Sequence, residues 1–550
     1  MVLNVADLFE HAVDTAPDRT ALVCGPRRLT FAELEARSNR LAHHLAAQGI
    51  GTGDHVAIYS TNSTEVVETM LALYKLRAVA INVNFRYTES ELLYILDNAD
   101  VVGLLHQRGT SARVAAVLPK APKVRHVLVV EDGTADDGTA AGYGAVEYES
   151  ALAGQSPERD FGPRDPGDRY LLYTGGTTGR PKGVMWRHED VWRVLGGGTD
   201  FVTGEPLTDE WQQARDGNNG PLVRMCPAPL MHGQAQWAMF GSLLATHTVV
   251  LMPKFDAREL WETVQAEKVQ VIALIGDAMA RPMIEVYQEG DYDASSVVAI
   301  SNTAALISPA VKQAFIETFP NTFLTDAIGS SETGFNGIGM IADTSDDARG
   351  PRVKGHAALI IVDEENRPLQ PGSGTIGRLA RGGNLPLGYY KDPEKTARLF
   401  IEVDGQRYTV PGDLAVYEDD GTITLLGRGD QCINTAGEKV FPEEVEGIVK
   451  SHPGVFDALV VGVPDERLGA RVGALVQWRE EAEPDLDSLI AFAREHLAGY
   501  KIPRSYWYVD EIVRTPAGKP DYGTARTYAA EHPTSAEVAV TAGTVGAKGA

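Results

Sequence analysis

Tyr173-Thr174-Gly175-Gly176-Thr177-Thr178-Gly179-Arg180-Pro181-Lys182-Gly183 is the stretch on which the reading of this chain turns. Its glycines lack a Cβ, so backbone N–H groups can approach an anionic oxygen closely. Thr174, Thr177 and Thr178 add hydroxyl donors, and Lys182 adds a mobile positive charge. The run follows a strand-like Tyr170-Leu-Leu-Tyr173. It is not a Walker A loop, because no Gly-Lys-Ser/Thr follows at the required spacing. Read alone, it is a phosphate cradle or a polar hairpin turn.

Upstream, helix and strand signals alternate. Thr30-Phe-Ala-Glu33 has the form of a capping box, and Leu34, Ser38, Leu41, Ala42 and Leu45 then recur at helical spacing up to Gly49. His55–Tyr59, Val101–Leu105 and His126–Val130 read as short buried strands, and Thr88-Glu-Ser-Glu91 opens another capped helix. Such alternation predicts an α/β fold with covered sheets. Segments 131–144 and 205–220, rich in Gly, Asp, Thr and Asn, are expected to be surface loops. From about residue 430 the pattern becomes a compact α+β unit. A helix spans Val440–Val449 with Pro442 near its start, strands cover Ala458–Val463 and Val472–Val476, and a second helix covers 485–497. The last stretch, 532–550, is poor in aromatic residues and is expected to be a disordered tail.

Composition narrows the class. The 550 residues are too many for one ordinary domain, and 43% hydrophobic with 23% charged residues is ordinary globular composition. Lys and Arg number 50 against 75 Asp and Glu, a net charge of −25. So acidic a chain is not expected to wrap nucleic acid or lie on an anionic membrane, although local basic residues can still hold a phosphate. Cys24, Cys226 and Cys432 are far apart, which argues against a disulfide framework or zinc knuckle and fits a reducing compartment. The first ten residues carry no basic stretch, and no apolar run approaches the ~20 residues of a membrane helix. A cytoplasmic location is the expectation.

Four further motifs follow the glycine-rich run: Gly329-Ser-Ser-Glu-Thr333, Pro411-Gly-Asp413, Gly427-Arg-Gly-Asp430 and Thr515-Pro-Ala-Gly-Lys519. Together, and in this order, they resemble the adenylate-forming enzymes: acyl-CoA synthetases, luciferases and peptide-synthetase adenylation domains. The resemblance covers residues 170–520, with weaker matches back to the N-terminus. It implies a large α/β domain over 1–428 and a small mobile domain over 429–531, hinged at Asp430. It also implies that Thr174, Gly175, Gly176, Thr177, Thr178, Gly179 and Lys182 hold the ATP phosphates, joined by Gly329, Ser330, Ser331 and Thr333. Glu332 would hold Mg²⁺, a hard cation suited to oxygen ligands beside phosphate. Asp413 and Arg428 would bind the ribose, and Lys519 would stabilise charge as a carboxylate attacks the α-phosphate. Gly437 and Lys439, in Thr435–Glu446, are candidates for contacting coenzyme A. His232, counted with Lys519 and Glu332 as catalytic, would line the acyl channel.

The acyl pocket is expected between His232 and Glu332. Gly233, Gln234, Trp237, Gly276 and Ala278 supply small residues beside one large aromatic. The runs Gly276–Pro282 and Val184-Met-Trp186 resemble actinobacterial acyl-CoA synthetases acting on fatty acids or steroid side-chain acids, although the same residues could simply be core. The implied activity is ATP-dependent ligation of a bulky hydrophobic acid to coenzyme A. Transfer to an amine or a carrier protein, or a non-catalytic binder, are the alternatives, and a homodimer is left open. Some positions depart from the family pattern: Ile328 stands where an aromatic residue stacks on adenine, Pro411 replaces a threonine, Ala436 a glycine and Arg378 a glutamate. Gly372-Ser-Gly-Thr-Ile-Gly377 satisfies GxGxxG but follows no strand, so a dinucleotide site is not expected there.

Overall fold

The computed structural model describes residues 4–175, 180–196, 198, 205–305, 307–341, 350–435, 438–465, 467–515 and 519–537. Gly176, Thr177, Thr178, Gly179 and Gly437 lie outside the described residues, as does everything beyond 537.

Among the described residues three sheets form. The first has eight strands. Its centre is His55–Tyr59, flanked in parallel by Val79–Val83 and Val101–Gln107, with His126–Val130 beyond. His55–Tyr59 and His126–Val130 are buried throughout, as strands covered on both faces must be. Arg169–Thr174 extends the sheet in parallel, and Lys182–Arg187 turns back antiparallel. The helix Phe31–Ala47 opens as its sequence predicts: Glu33 N–H donates to Thr30 Oγ1 at 3.1 Å, and Thr30 N–H to Glu33 Oε2 at 2.8 Å.

The second sheet has fifteen strands. One half is parallel, running through Thr248–Leu251, Val223–Cys226, Val271–Leu274, Ala299–Thr303 and Phe323–Ser330. The other half is antiparallel and holds Gly334–Met340, Asp413–Tyr417 and Ile423–Arg428. Pro227, Ile275, Thr303 and Ser330, at or just past the carboxyl ends of the parallel strands, all line one large cleft. Open α/β sheets bind ligands at that edge. The third sheet, of six strands, holds residues 433–537 and carries the helix Pro442–Ser451.

Two expectations need correction. The stretch 532–537 is not a free tail. Ala536–Glu537 pairs antiparallel with Ser505–Tyr508, Ser535 N–H donates to Tyr506 O at 2.8 Å, and Trp507 Nε1 donates to His532 O at 3.1 Å. An edge strand offers unpaired backbone groups that accept a partner of almost any composition. Nor is 205–220 a plain loop, because Gln212–Asn219 is a helix. Trp211 stacks on His11 with ring centroids 3.8 Å apart, and Gln213 links Trp192 Nε1 (2.9 Å) to the Gly241 carbonyl (3.2 Å). Those tertiary contacts override the weak helix propensity of Gly, Asn and Asp.

That helix meets the end of another, Gly233–Leu244, at Gly217. A Cβ on Gly217 would fall 1.9 Å from the Ala245 carbonyl oxygen. Gly217→Ala is therefore expected to lower stability by about 1–3 kcal/mol through overpacking, measured by urea unfolding. A stability unchanged from wild type would show that the two helices separate at no cost.

Candidate active site

The strands on either side of the glycine-rich run pair antiparallel, with Thr174 opposite Lys182 and Tyr173 opposite Gly183. Lys182 Nζ lies 2.9 Å from Glu332 Oε1 and donates to the Tyr389 hydroxyl at 2.7 Å. That hydroxyl donates in turn to Glu332 Oε1 at 2.9 Å. Lys182 and Tyr389 stand on the eight-stranded sheet, whereas Glu332 sits in the turn joining Phe323–Ser330 to Gly334–Met340 of the other. Burial alone would raise the Glu332 carboxyl, but Lys182 and Arg428 hold it below its ordinary value. It is an ionised carboxylate deep in the protein.

The turn around Glu332 is tightly specified. A Cβ on Gly329 would fall 2.4 Å from the Gly334 carbonyl oxygen. Thr333 Oγ1 accepts from Ser330 N–H (3.2 Å) and Asn336 Nδ2 (2.9 Å), and Trp186 Nε1 donates to the Ser331 carbonyl at 3.0 Å. Asn82 anchors the other side. Its Nδ2 donates to the Tyr173 and Met231 carbonyls at 2.7 and 2.6 Å, while its Oδ1 accepts from Tyr173 N–H at 2.7 Å. One side chain thus fixes the entry to the glycine-rich loop against the segment that carries His232.

Asp413 and Arg428 are cross-strand neighbours, with Arg428 Nε 2.8 Å from Asp413 Oδ1. Burial pushes the Asp413 carboxyl up, opposed by Arg428. Lys519 enters the same cleft from the third sheet's side. Its accessible surface faces the cleft interior, and burial together with Arg428 lowers its proton affinity against the pull of Glu332 and Asp413. His232 is likewise enclosed. Burial, with Lys519 and Arg86 nearby, brings its imidazole down to about 4, so it is neutral at pH 7.

The cleft has a volume of about 2020 Å³. It brings together Thr174, Gly175, Lys182, His232, Gly233, Gln234, Trp237, Ala278, Gly329, Ser330, Ser331, Glu332, Asp413, Arg428, Asp430 and Lys519. Among the described residues, three that the sequence predicted are not on its wall. Thr333 is buried in the turn it holds together. Lys439 is exposed on the strand Glu438–Val440. Gly276 caps the helix Asp277–Glu289 with φ 55°, and its N–H donates to Asn302 Oδ1 at 2.8 Å. Gly276 is required by its left-handed backbone, and the expected pocket volume comes instead from Ala278 and from the helix after His232.

Sequence reasoning missed Asn82, Tyr389 and the buried pair Lys312–Asp326, 2.6 Å apart and held by Asn302, and it named Trp186 only within the run Val184-Met-Trp186. The last three positions named for that pair also line the cleft. Neither Asn82 nor Tyr389 had a local signal that set it apart.

A cleft that sets a glycine-rich hairpin, an ionised glutamate, a carboxylate–guanidinium pair and an inserted lysine around one space defines a nucleotide-handling enzyme. The chain belongs to the AMP-binding enzyme family: that family matches residues 9–390, and the AMP-binding enzyme C-terminal domain matches residues 444–519. It is 54% identical to a 3-oxocholest-4-en-26-oate--CoA ligase of Rhodococcus rhodochrous over 96% of both chains. It is 52% identical to a medium/long-chain-fatty-acid--CoA/3-oxocholest-4-en-26-oate--CoA ligase of Mycobacterium tuberculosis, again over 96% of both. Among solved structures, the anthranilate CoA ligase AuaEII in complex with anthranoyl-AMP superposes with a TM-score of 0.82 at 21% identity, covering 96% of this chain and 97% of that one. ATP-bound MatB from Rhodopseudomonas palustris gives 0.79 at 23% identity, over 96% and 99%. The fold is that of the adenylate-forming enzymes.

Tyr389→Phe removes the hydroxyl shared by Lys182 and Glu332. A hydrogen bond to a charged group contributes about 1.5–3 kcal/mol, so kcat/KM for pyrophosphate release is expected to fall roughly 10–100-fold. Wild-type turnover in this variant would mean that the Lys182–Glu332 pair needs no third member.

Proposed function

We propose that the protein is an ATP-dependent acid–CoA ligase for bulky hydrophobic carboxylic acids, with a steroid side-chain acid preferred over a simple medium- or long-chain fatty acid. The observation that carries this reading is the shape of the cleft beyond His232. Gln234, Trp237, Ala238 and Gly241 recur on one face of a single helix, and with Ala245 just past its end they all line it. Small residues leave width, Trp237 gives a broad apolar wall, and a ring system gains roughly 25 cal/mol per Å² of apolar surface it buries. The names of the relatives point the same way.

In the first step a carboxylate oxygen attacks the α-phosphorus of ATP, forming acyl-AMP and expelling pyrophosphate. Lys519 offers its ammonium to the charge that develops, and Lys182 with the glycine-rich hairpin takes the outer phosphates. Asp413 accepts from the ribose hydroxyls, with Arg428 beside it. Neutral His232 borders the acyl group without adding charge. In the second step the coenzyme A sulfur attacks the acyl carbon and AMP leaves.

Glu332, with the Ser330 hydroxyl near it, suits Mg²⁺. The ion takes one or two carboxylates and completes its shell with water and phosphate oxygens, and this carboxylate is kept ionised. When bound, the ion neutralises phosphate charge. Rotation of the unit 429–531 about Asp430 would withdraw Lys519 and bring Lys439 and Gly437 toward the thiol. Asp430 is exposed in the turn between Ile423–Arg428 and Ile433–Thr435, so its side chain would not obstruct that motion. No described helix is long and apolar enough to cross a membrane, and a cytoplasmic location is part of the proposal.

A panel of acids assayed for pyrophosphate release and for product identity with CoA, with an amine and with neither tests the reading. Steroid side-chain acids should give the highest kcat/KM and CoA thioesters as products. Highest values for short or small aromatic acids, with steroid acids inert, would overturn the substrate class; amide products would overturn the acceptor.

Lys519→Ala should abolish acyl-AMP formation from ATP while thioester formation from supplied acyl-AMP largely survives. Equal loss of both half-reactions, measured separately, would contradict a lysine that serves only the first.

A further inference from the structure

The acyl arm of the cleft does not end as it begins. The helix Gly233–Leu244 has 12 residues and at about 1.5 Å of rise per residue runs about 18 Å. His232 precedes its first turn, next to Lys519, and Ala245 and His247 follow its last. Between them the helix presents Trp237, Ala238 and Gly241 to the cleft, while Val271 and Ala273 line it from the sheet. This stretch is apolar. At its far end stands Arg224, on the strand Val223–Cys226, level with Val249 and Val271 on the neighbouring strands.

Arg224 lines the cleft, and among the described residues no carboxylate, carbonyl or hydroxyl accepts from it. Enclosure without an acid lowers its basicity, yet a guanidinium still carries its charge at pH 7. His247, on the same wall, accepts from Leu222 N–H through Nδ1 at 3.3 Å. Burial, with Arg224 and Arg19 nearby, keeps its imidazole neutral at pH 7, bringing it down to about 4. A neutral ring whose Nδ1 accepts carries its proton on Nε2. Both side chains are therefore donors, and although Asp216 and Gln213 also line this end of the cleft, neither is bonded to Arg224 among the described residues.

Arg224 is half-buried at the cleft wall, and donors in that position can be bonded by water while the cleft is open but are costly to cover unless the occupant supplies an acceptor. An alkyl chain reaching this point would cover the guanidinium and satisfy none of its five N–H groups. We propose that Arg224, with His247 beside it, is a recognition subsite for an oxygen acceptor, a ketone or a carboxylate, borne on the end of the acyl group farthest from the reacting carboxylate. The inference rests on the acyl-arm reading above and narrows it. The preferred acid is a long or ring-bearing one oxygenated at its distal end, and Arg224 is a specificity-determining residue that takes no part in the bond-forming steps.

The experiment compares kcat/KM within matched pairs on wild type, Arg224→Met and Arg224→Lys. One pair is a steroid side-chain acid with and without a ketone on the distal ring. A second is a linear long-chain acid with and without a terminal oxo group, and an α,ω-dicarboxylic acid of the same length distinguishes carboxylate from ketone. Wild type should favour the oxygenated member by roughly 10–100-fold, the range of a charge-assisted hydrogen bond. The ratio should fall towards one in Arg224→Met and stay intermediate in Arg224→Lys. Using a ratio removes any general loss of activity from the comparison, and the wild-type ratio alone decides if a variant does not fold. A wild-type ratio near one in both pairs, or one unchanged in Arg224→Met, overturns the subsite. Inert steroid acids beside an Arg224-dependent preference in the linear pair would uphold the subsite and overturn the steroid reading. Active steroid acids with a ratio of one would do the reverse.

Discussion

The Lys182–Glu332 ion pair, closed by the Tyr389 hydroxyl, is the contact on which the cleft depends. The two sheets share one large hydrophobic core, to which Leu172 and Trp186 of one and Cys226 and Leu251 of the other belong, and the ion pair adds a polar tie between them at the cleft. A buried carboxylate without its partner is strongly unfavourable, and one that is paired and hydrogen-bonded fixes its neighbours in one geometry. The hairpin that carries Lys182 is therefore held at a set distance from the turn that carries Glu332. The Trp186–Ser331 hydrogen bond adds a second tie between the same two elements. Both ties lie where the glycine-rich loop meets the carboxyl edge of the parallel strands. A phosphate ligand at this point would find a mobile cation and an ionised oxygen acceptor already in place.

The charge of the chain acquires meaning from this arrangement. A protein with net charge −25 repels anions at long range, yet the cleft gathers Lys182, Arg428, Lys519 and Arg86 about Glu332, Asp413 and Asp430. Low-dielectric walls make such local charges count for more than the distant surface. The acidity that argued against nucleic acid is thus compatible with a triphosphate site, because the two statements concern different distances.

Much of the fold was legible because its signals are local. His55–Tyr59 and His126–Val130 read as strands from continuous apolar runs, and Thr30 and Glu33 announced their helix by a reciprocal cap. The order of five motifs was enough to assemble the candidate site. What could not be read depends on contacts distant in sequence. Gln212–Asn219 is helical because Trp211 and Gln213 find partners on other elements, and 532–537 is a strand because an edge was open to it. Gly276 shows the limit of reading volume from residue size. A glycine at φ 55° is there for its backbone, and the space credited to it lies along Gly233–Leu244 instead. Asn82 and Tyr389 sit in unremarkable sequence, and their roles emerge only when the strands that carry them are laid beside the glycine-rich hairpin.

Lys519 brings the two parts of the chain together energetically. Thr515 N–H donates to the Lys519 carbonyl at 2.7 Å and a bridge joins Arg514 to Pro520, so the residues on either side of the motif are tied together. Inside the cleft Lys519 approaches Arg428, a like charge that lowers its proton affinity. Glu332 and Asp413 oppose that repulsion, but both are already paired with other cations. An anion bound between Lys519 and Arg428 would relieve the repulsion, and its departure would restore it. Insertion of the lysine is therefore coupled to how much negative charge the cleft holds. Asp430, exposed in the turn that links the large sheet to the small unit, is where the proposed rotation would take up a change in that coupling.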